Sequence, residues 1–348
     1  KDADSQCFLE QQEVCMEVCT QRGFLDCTKP VYRSIHKIKS KQILNNMKYK
    51  VADFIIEIII PEHLEYDALL PSVTPFKYIG GEQEETLCCF DATHETLTEK
   101  LEERILLDEA TNESGIVKVW ALKEGYLIES KYNSTTGAHA MVADKGFRMI
   151  KAAIIWTDMY VGQILSTMIR IAFSQAILPH KGINIHASAI SHNGKAYLFM
   201  GKSGTGKSTH AALWLQHIED TELINDDNPA VRVIEEKTLI YGTPWSGKTQ
   251  CYKNICRPLG GIVRLQQAPY NRFEPSDAMG AFIALMPGCA IIKQDRRLYN
   301  SLCDTLTIIA EREHIGIMKC LPDEDAAKTC REGLMFLPPK GCRNKKKH

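Results

Sequence analysis

Tyr197-Leu198-Phe199-Met200-Gly201-Lys202-Ser203-Gly204-Thr205-Gly206-Lys207-Ser208 decides how this chain folds. Its first four residues are an apolar strand, and its last eight fit G-x-x-x-x-G-K-[ST]. Ala211-Ala212-Leu213-Trp214-Leu215 then continues as a helix. Phosphate groups need several convergent N–H donors, and glycines let the backbone curl into that concavity. The helix that follows aims its positive N-terminus at the same point. This pattern makes Gly201, Ser203, Gly204, Thr205, Gly206, Lys207, Ser208 and Thr209 the candidate nucleotide contacts. Lys207 would neutralise the β- and γ-phosphates, and the Ser208 hydroxyl would ligate Mg²⁺.

Outward from this loop the grammar alternates between strand and helix. Residues 183–190 predict a strand that carries His186, with Asn193-Gly194 as a hairpin turn before the loop strand. Residues 222–225 predict a strand and residues 230–235 and 238–241 a hairpin around Glu236-Lys237. A further strand is expected at 261–265, and helices at 276–285, 296–311 and 322–333. Upstream, Ile164, Leu165, Met168, Ile171, Ala172 and Ala176 recur at helical spacing, which predicts a core helix over 160–178. The region before it reads as strands: 54–60 stopped by Pro61, 84–90, 95–102, and a hairpin of 116–122 with 125–130. The expected fold class is α/β, with a β-rich N-terminal domain at 47–155 and a P-loop domain at 156–339. Residues 1–46 read as an appended segment, since Met47 would serve as an independent start, and 340–348 as a basic tail.

A chain of 348 residues has room for about two domains. Its 44% hydrophobic and 24% charged residues are those of a globular protein and exclude a disordered or fibrous one. A net charge of −1 excludes a bulk polycation, so no nucleic-acid partner is expected. The balance hides a gradient, because Lys340, Arg343, Lys345, Lys346 and Lys347 close the chain with no acid among them; such a tail is expected to be solvated. No apolar run is long enough to span a membrane, and Lys1-Asp2-Ala3-Asp4 opens without a signal-peptide pattern. A cytoplasmic protein with no membrane partner is the expectation. Most of the 13 cysteines are scattered and read as reduced, buried thiols. Cys7, Cys15, Cys19 and Cys27 crowd the start, where zinc or two disulfides compete with a plain leader segment.

Three further features carry chemistry. Asp226-Asp227 follows the strand that ends at Asn225; phosphoryl transfer needs a carboxylate on the metal and one to accept the acceptor's proton. His186 sits on the preceding strand, where it would lie beside Asp226. A second match to the loop pattern, Gly242-Thr243-Pro244-Trp245-Ser246-Gly247-Lys248-Thr249, has a proline where a donor is wanted and a tryptophan where phosphate would sit. Its expected role is the wall opposite the nucleotide, with Gly247 and Lys248 contacting phosphate or substrate, joined by Arg272.

In this order, His186, Gly201 to Ser208 and Asp226-Asp227 resemble the C-terminal domain of the HPr kinase/phosphorylase family, within the PEP carboxykinase-like P-loop kinases. The likeness extends to an HPr-kinase-like branch with His186-Ala187-Ser188, Asn225-Asp226-Asp227-Asn228-Pro229, Tyr241 to Lys248 and Pro258-Leu259-Gly260-Gly261. That resemblance implies ATP and Mg²⁺, and transfer to a serine hydroxyl. It implies that one aspartate, supported by His186, acts as base while the other joins Ser208 on the metal, where Asp227 is the expected ligand. Lys207 completes the catalytic set. True HPr kinases have a different motif at Gly242–Lys248 and a different N-terminal domain, so the acceptor is expected to be another serine-containing protein, peptide or small molecule. The chain lacks the manganese ligands of PEP carboxykinases. Two alternatives stay open: a nucleotide-binding regulatory module without transfer, and a phosphorylase or phosphatase running the reverse reaction. A homo-oligomer is also left open.

Overall fold

The computed structural model describes residues 45–336, apart from 82–83, 98–102, 113–114 and 248. The four N-terminal cysteines, the basic tail and Lys248 therefore lie outside the described residues. What is described belongs to one compact unit that begins at Leu44.

The first half is an eight-stranded sheet. Its strands are β1 (Asn45–Val51), β2 (Phe54–Ile60), β3 (Thr86–His94), β4 (Ile105–Asn112), β5 (Gly115–Leu122), β6 (Gly125–Lys131), β7 (His139–Asp144) and β8 (Met149–Ala153), in the order β1-β2-β3-β8-β7-β6-β5-β4. β2 is apolar almost throughout because both of its faces are covered. The strand expected at 95–102 is not formed at 95–97, and the next strand begins at Ile105 instead. The chain bends at Glu95-Thr96 directly after β3.

Helix α1 (Val161–Ala176) follows and packs on β3, β6 and β7. Ile164, Leu165, Met168, Ala172 and Phe173 are buried along it, as a 3.6-residue period requires.

The second half contains β9 (Gly182–Asn184), β10 (Ala187–His192), β11 (Lys195–Met200), α2 (Lys207–His217), β12 (Thr221–Asn225), β13 (Ala230–Ile234), β14 (Lys237–Tyr241), β15 (Cys256–Gln267), β16 (Arg272–Pro275), α3 (Ala278–Leu285), α4 (Arg296–Arg312), β17 (Ile315–Cys320) and α5 (Glu324–Met335). The long strand β15 is shared by two wings. Its start pairs with β14, in the order β15-β14-β13-β9. Its later part lies between β11 and β17, parallel to both, and β12-β10-β11 completes that wing on the other side.

Residues 183–190 were expected as one strand. They are two, because the chain leaves the β13 edge after Asn184 and enters the other wing at Ala187. His186 lies in that break. The Asn193-Gly194 turn is present, with φ of 49° and 75° at its two residues, as a tight hairpin needs. Gly261–Leu265 is the middle of β15 rather than a strand of its own. The last helix starts at Glu324 behind an Asp323 cap, with Pro322 just outside it.

A continuous core of buried side chains runs from Tyr49 in β1 to Ile315 in β17. The expected boundary at 155/156 falls in the loop between β8 and α1. Across it, the Tyr126 hydroxyl bonds Asp295, Tyr241 bonds Asp53 at 2.7 Å, and Arg232 donates to the Ala52 carbonyl at 2.8 Å. A second cluster, with Phe199, Trp214, Val263, Met318 and Ala327, packs α2 and α5 on the other face of the β11 wing. No helix of the described residues is long and apolar enough to cross a membrane.

Candidate functional site

Parallel strands deliver their carboxyl ends to one edge of a sheet, and in α/β sheets that edge is where ligands bind. β11, β15 and β17 are parallel, and β12 points the same way because both it and β11 run antiparallel to β10. Gly201 and Asp226 therefore emerge at the same edge. His186 joins them there, since it immediately precedes β10. The Ala187 N–H donates to the Asp227 carbonyl at 3.0 Å and locks the two segments together.

The loop from Gly201 to Gly206 connects β11 directly to α2. Gly204 and Gly206 hold φ of +77° and +103°, a region that a side chain would strain. Thr205 closes the loop on itself, donating from N and Oγ1 to the Lys202 carbonyl at 3.1 and 2.6 Å. Asp277, Asp295 and Asp323 cap α3, α4 and α5, but the N-cap of α2 is Gly206, which offers no side-chain cap. Its first-turn N–H groups are left for a ligand or solvent. Ser203, Ser208 and Thr209 are exposed around this opening. Lys207 is buried, and its Nζ reaches back across the loop to the Gly201 carbonyl at 3.3 Å. Burial pushes its pKa down, while Asp227 and then Asp226 oppose that shift. Both carboxylates are thus close enough to act on the loop's lysine.

The two aspartates have different surroundings. Asp226 is buried; its Oδ1 accepts from Ser188 Oγ at 2.7 Å and its Oδ2 from the Thr249 N–H at 3.4 Å. Asp227 is about one-third exposed, with its Oδ1 2.8 Å from His186 Nδ1 and its other oxygen bonded by the Asn228 amide. With Nδ1 donating to the carboxylate, the Nε2 of His186 is the free ring nitrogen. The pair is fixed from beneath by Asn225, whose Oδ1 accepts from the N–H groups of Asp227 and Asn228 at 2.9 and 2.8 Å. Its Nδ2 donates to the Trp245 carbonyl at 3.1 Å.

The second glycine-rich motif is tied to this turn. No helix follows it; Thr249 to Ile255 are irregular and lead into β15. The Thr243 hydroxyl donates to the Asn228 carbonyl at 2.7 Å. Trp245 is buried, donates to the Ser166 carbonyl of α1 at 3.1 Å, and packs against Phe173 with ring centroids 5.1 Å apart. Gly247 passes so close that a Cβ there would lie 2.9 Å from the Asp226 carbonyl oxygen and 3.4 Å from Asp227 Cβ. The motif supports the Asp pair. The guanidinium of Arg170, one turn of α1 beyond Ser166, has no hydrogen bond or ion pair among the described residues, whereas its backbone carbonyl accepts from Ser174 Oγ at 2.7 Å. Burial lowers its pKa, and the Asp227 charge is the one that opposes this.

The structure thus brings together His186, the Gly201–Thr209 loop, Asp226, Asp227 and Gly247. It does not bring Arg272 to them. That residue starts β16, exposed, and is ion-paired with Glu274, which also binds Lys319 at 3.0 Å. Ser188, Asn225, Thr243 and Arg170 were not singled out from sequence as acting at this site. Among the described residues no group of three or more His, Cys, Asp or Glu is placed to hold a metal. The donor types present, the carboxylates of Asp226 and Asp227 and the Ser208 hydroxyl, are oxygen ligands of the kind a hard cation such as Mg²⁺ takes.

No protein-family model and no curated protein matches the chain. Among solved structures, the Hpr(Ser) kinase/phosphatase from Coxiella burnetii is similar over 44% of this chain and 93% of that chain, with 8% identity and a TM-score of 0.26.

Proposed function

We propose that this protein is an ATP-dependent kinase that transfers the γ-phosphoryl group to a serine-type hydroxyl of a protein, peptide or small molecule. One observation carries the reading: Lys207, Asp226 and the Asp227–His186 pair converge on the mouth of an uncapped glycine-rich loop.

In this reading the N–H groups of the loop and of the first turn of α2 hold the phosphates, and Lys207 moves from the Gly201 carbonyl onto them. Asp227, the more accessible acid, takes the proton of the acceptor hydroxyl, with His186 orienting its carboxylate. Asp226 and Ser208 are then the residues that would hold Mg²⁺, a division that moves the metal from Asp227 to Asp226. The ion, when bound, offsets charge on the phosphates. Arg170 supplies a second cation beside Asp227, free to meet charge on the transferred group.

The test is incubation of the full chain with Mg²⁺, γ-labelled ATP and pools of serine-containing peptides and proteins. Label should move into an acceptor, and Asp226→Ala combined with Asp227→Ala should abolish that transfer. Transfer that persists in the double variant overturns the mechanism. Nucleotide binding without turnover in the unaltered protein would favour a regulatory module.

A further inference from the structure

The sheet edge has two sides about the loop. His186, Asp226 and Asp227 lie on the β10–β12 side of β11. On the other side, where β15 and β17 end, there is a cavity of about 580 Å³. Its rim is the outer surface of the loop itself, Gly204 to Gly206 with Thr209, so it is continuous with the phosphate cradle. Its walls include Leu213, Leu265, Pro269 and Leu321, and they are more apolar than polar. Two contacts fix its shape. The Ala268 N–H donates to the Cys320 carbonyl at 3.1 Å, and Gln267 Nε2 donates to the Gly204 carbonyl at 3.4 Å.

A nucleoside triphosphate lying in the loop has two ends. The γ-phosphate must face the groups that handle the acceptor's proton, so the nucleoside must leave the loop on the opposite side. That side is where the cavity opens. Its volume is in the range of small-ligand sites. Apolar walls with a few polar groups suit the flat faces and polar edge of a heterocyclic base.

We propose that this cavity is the nucleoside subsite, which takes the base and ribose, and that Gln267 couples it to the loop. The proposal rests on reading Gly201–Ser208 as a phosphate cradle. It adds that part of the affinity for ATP comes from Ala268, Cys320 and Leu321, on the side of β11 away from the Asp pair.

The experiment compares binding of ATP and of inorganic tripolyphosphate, each with Mg²⁺, to the full chain by calorimetry. ATP should bind at least tenfold more tightly. Ala268→Trp, which fills the cavity from a partly exposed strand end, should bring ATP down to the tripolyphosphate level and leave tripolyphosphate unchanged. Equal affinities in the unaltered protein, an ATP advantage that survives Ala268→Trp, or an equal loss for both ligands would overturn the subsite. If tripolyphosphate binds and ATP gains nothing over it, only the subsite fails; if neither binds, the cradle fails with it. Should Ala268→Trp not fold, alkylation of Cys320, read by mass spectrometry on the unaltered protein, decides. ATP but not tripolyphosphate should slow it, and equal protection by both overturns the proposal.

Discussion

His186 Nδ1 stands 2.8 Å from Asp227 Oδ1, although the two residues come from separate segments of the chain. The contact exists because the chain breaks its strand at Ile185-His186 while β12 ends at Asn225 beside it. A carboxylate held in this way can accept a proton in a fixed direction. Asp227→Asn should reduce phosphoryl transfer by roughly 10²–10⁴-fold. His186→Ala should reduce it less and leave ATP affinity unchanged. Label-transfer kinetics with a calorimetric Kd for ATP separate the two effects; loss of ATP binding in His186→Ala would count against an orienting role.

Trp245 links the supporting loop to α1 through the Ser166 carbonyl and Phe173. Trp245→Ala should destabilise the protein by about 3–5 kcal/mol, the usual range for removing a buried aromatic. Trp245→Phe keeps most of the packing and loses one hydrogen bond, at a cost of about 1 kcal/mol. Denaturant titration of the three proteins measures both. Equal stability of Trp245→Ala and the unaltered protein would show that the loop hangs from something else.

Asn225 accepts two backbone N–H groups of the acidic turn and donates to the Trp245 carbonyl. Asn225→Ala leaves those groups without partners, which costs about 1–3 kcal/mol if they stay buried. The expected result is lower stability together with a fall in transfer rate that exceeds any change in ATP affinity. Unchanged transfer in a folded Asn225→Ala protein would mean that the turn keeps its geometry unaided.

His210 lies one turn into α2, buried, with its Nε2 accepting from Trp214 Nε1 at 3.2 Å and the Phe199 ring edge-on to it. Burial pushes its pKa down from 6.5 to about 4. Between those values the unfolded chain binds a proton that the folded one does not, so stability falls as the pH falls. The contribution is complete above pH 6.5 and is lost progressively down to about pH 4, on the order of 3 kcal/mol in all. Thermal melts across this range should show the decline, and His210→Gln should flatten it. An equal slope in both proteins would rule His210 out as its source.

Much of this architecture was legible in the sequence because local signals and tertiary demands agree. Asn193-Gly194 can only turn tightly, and Phe54 to Ile60 is too apolar to be anything but a covered strand. The loop between β11 and α2 was legible because glycines at fixed spacing permit the positive φ that Gly204 and Gly206 hold. The 183–190 break was not, since the apolar residues on both sides of His186 are each buried, in different wings of one sheet. Long-range pairing decided that, and periodicity does not carry it. Ser188, Asn225 and Thr243 stand in the quoted motifs without an assigned role for a related reason. A hydroxyl or amide in a strand or turn looks the same whether it holds a carboxylate in place or faces water. Arg272 failed the other way: a basic residue just past a strand suggested phosphate, yet Glu274 two residues later on the same strand face claims it.

The eight-residue pattern occurs twice in this chain, at Gly201–Ser208 and at Gly242–Thr249, and only the first runs into a helix. The second braces Asp226 and Asp227 beside the first. On the proposed function, nucleotide stoichiometry should be one equivalent per chain, half of what a count of motif matches would give.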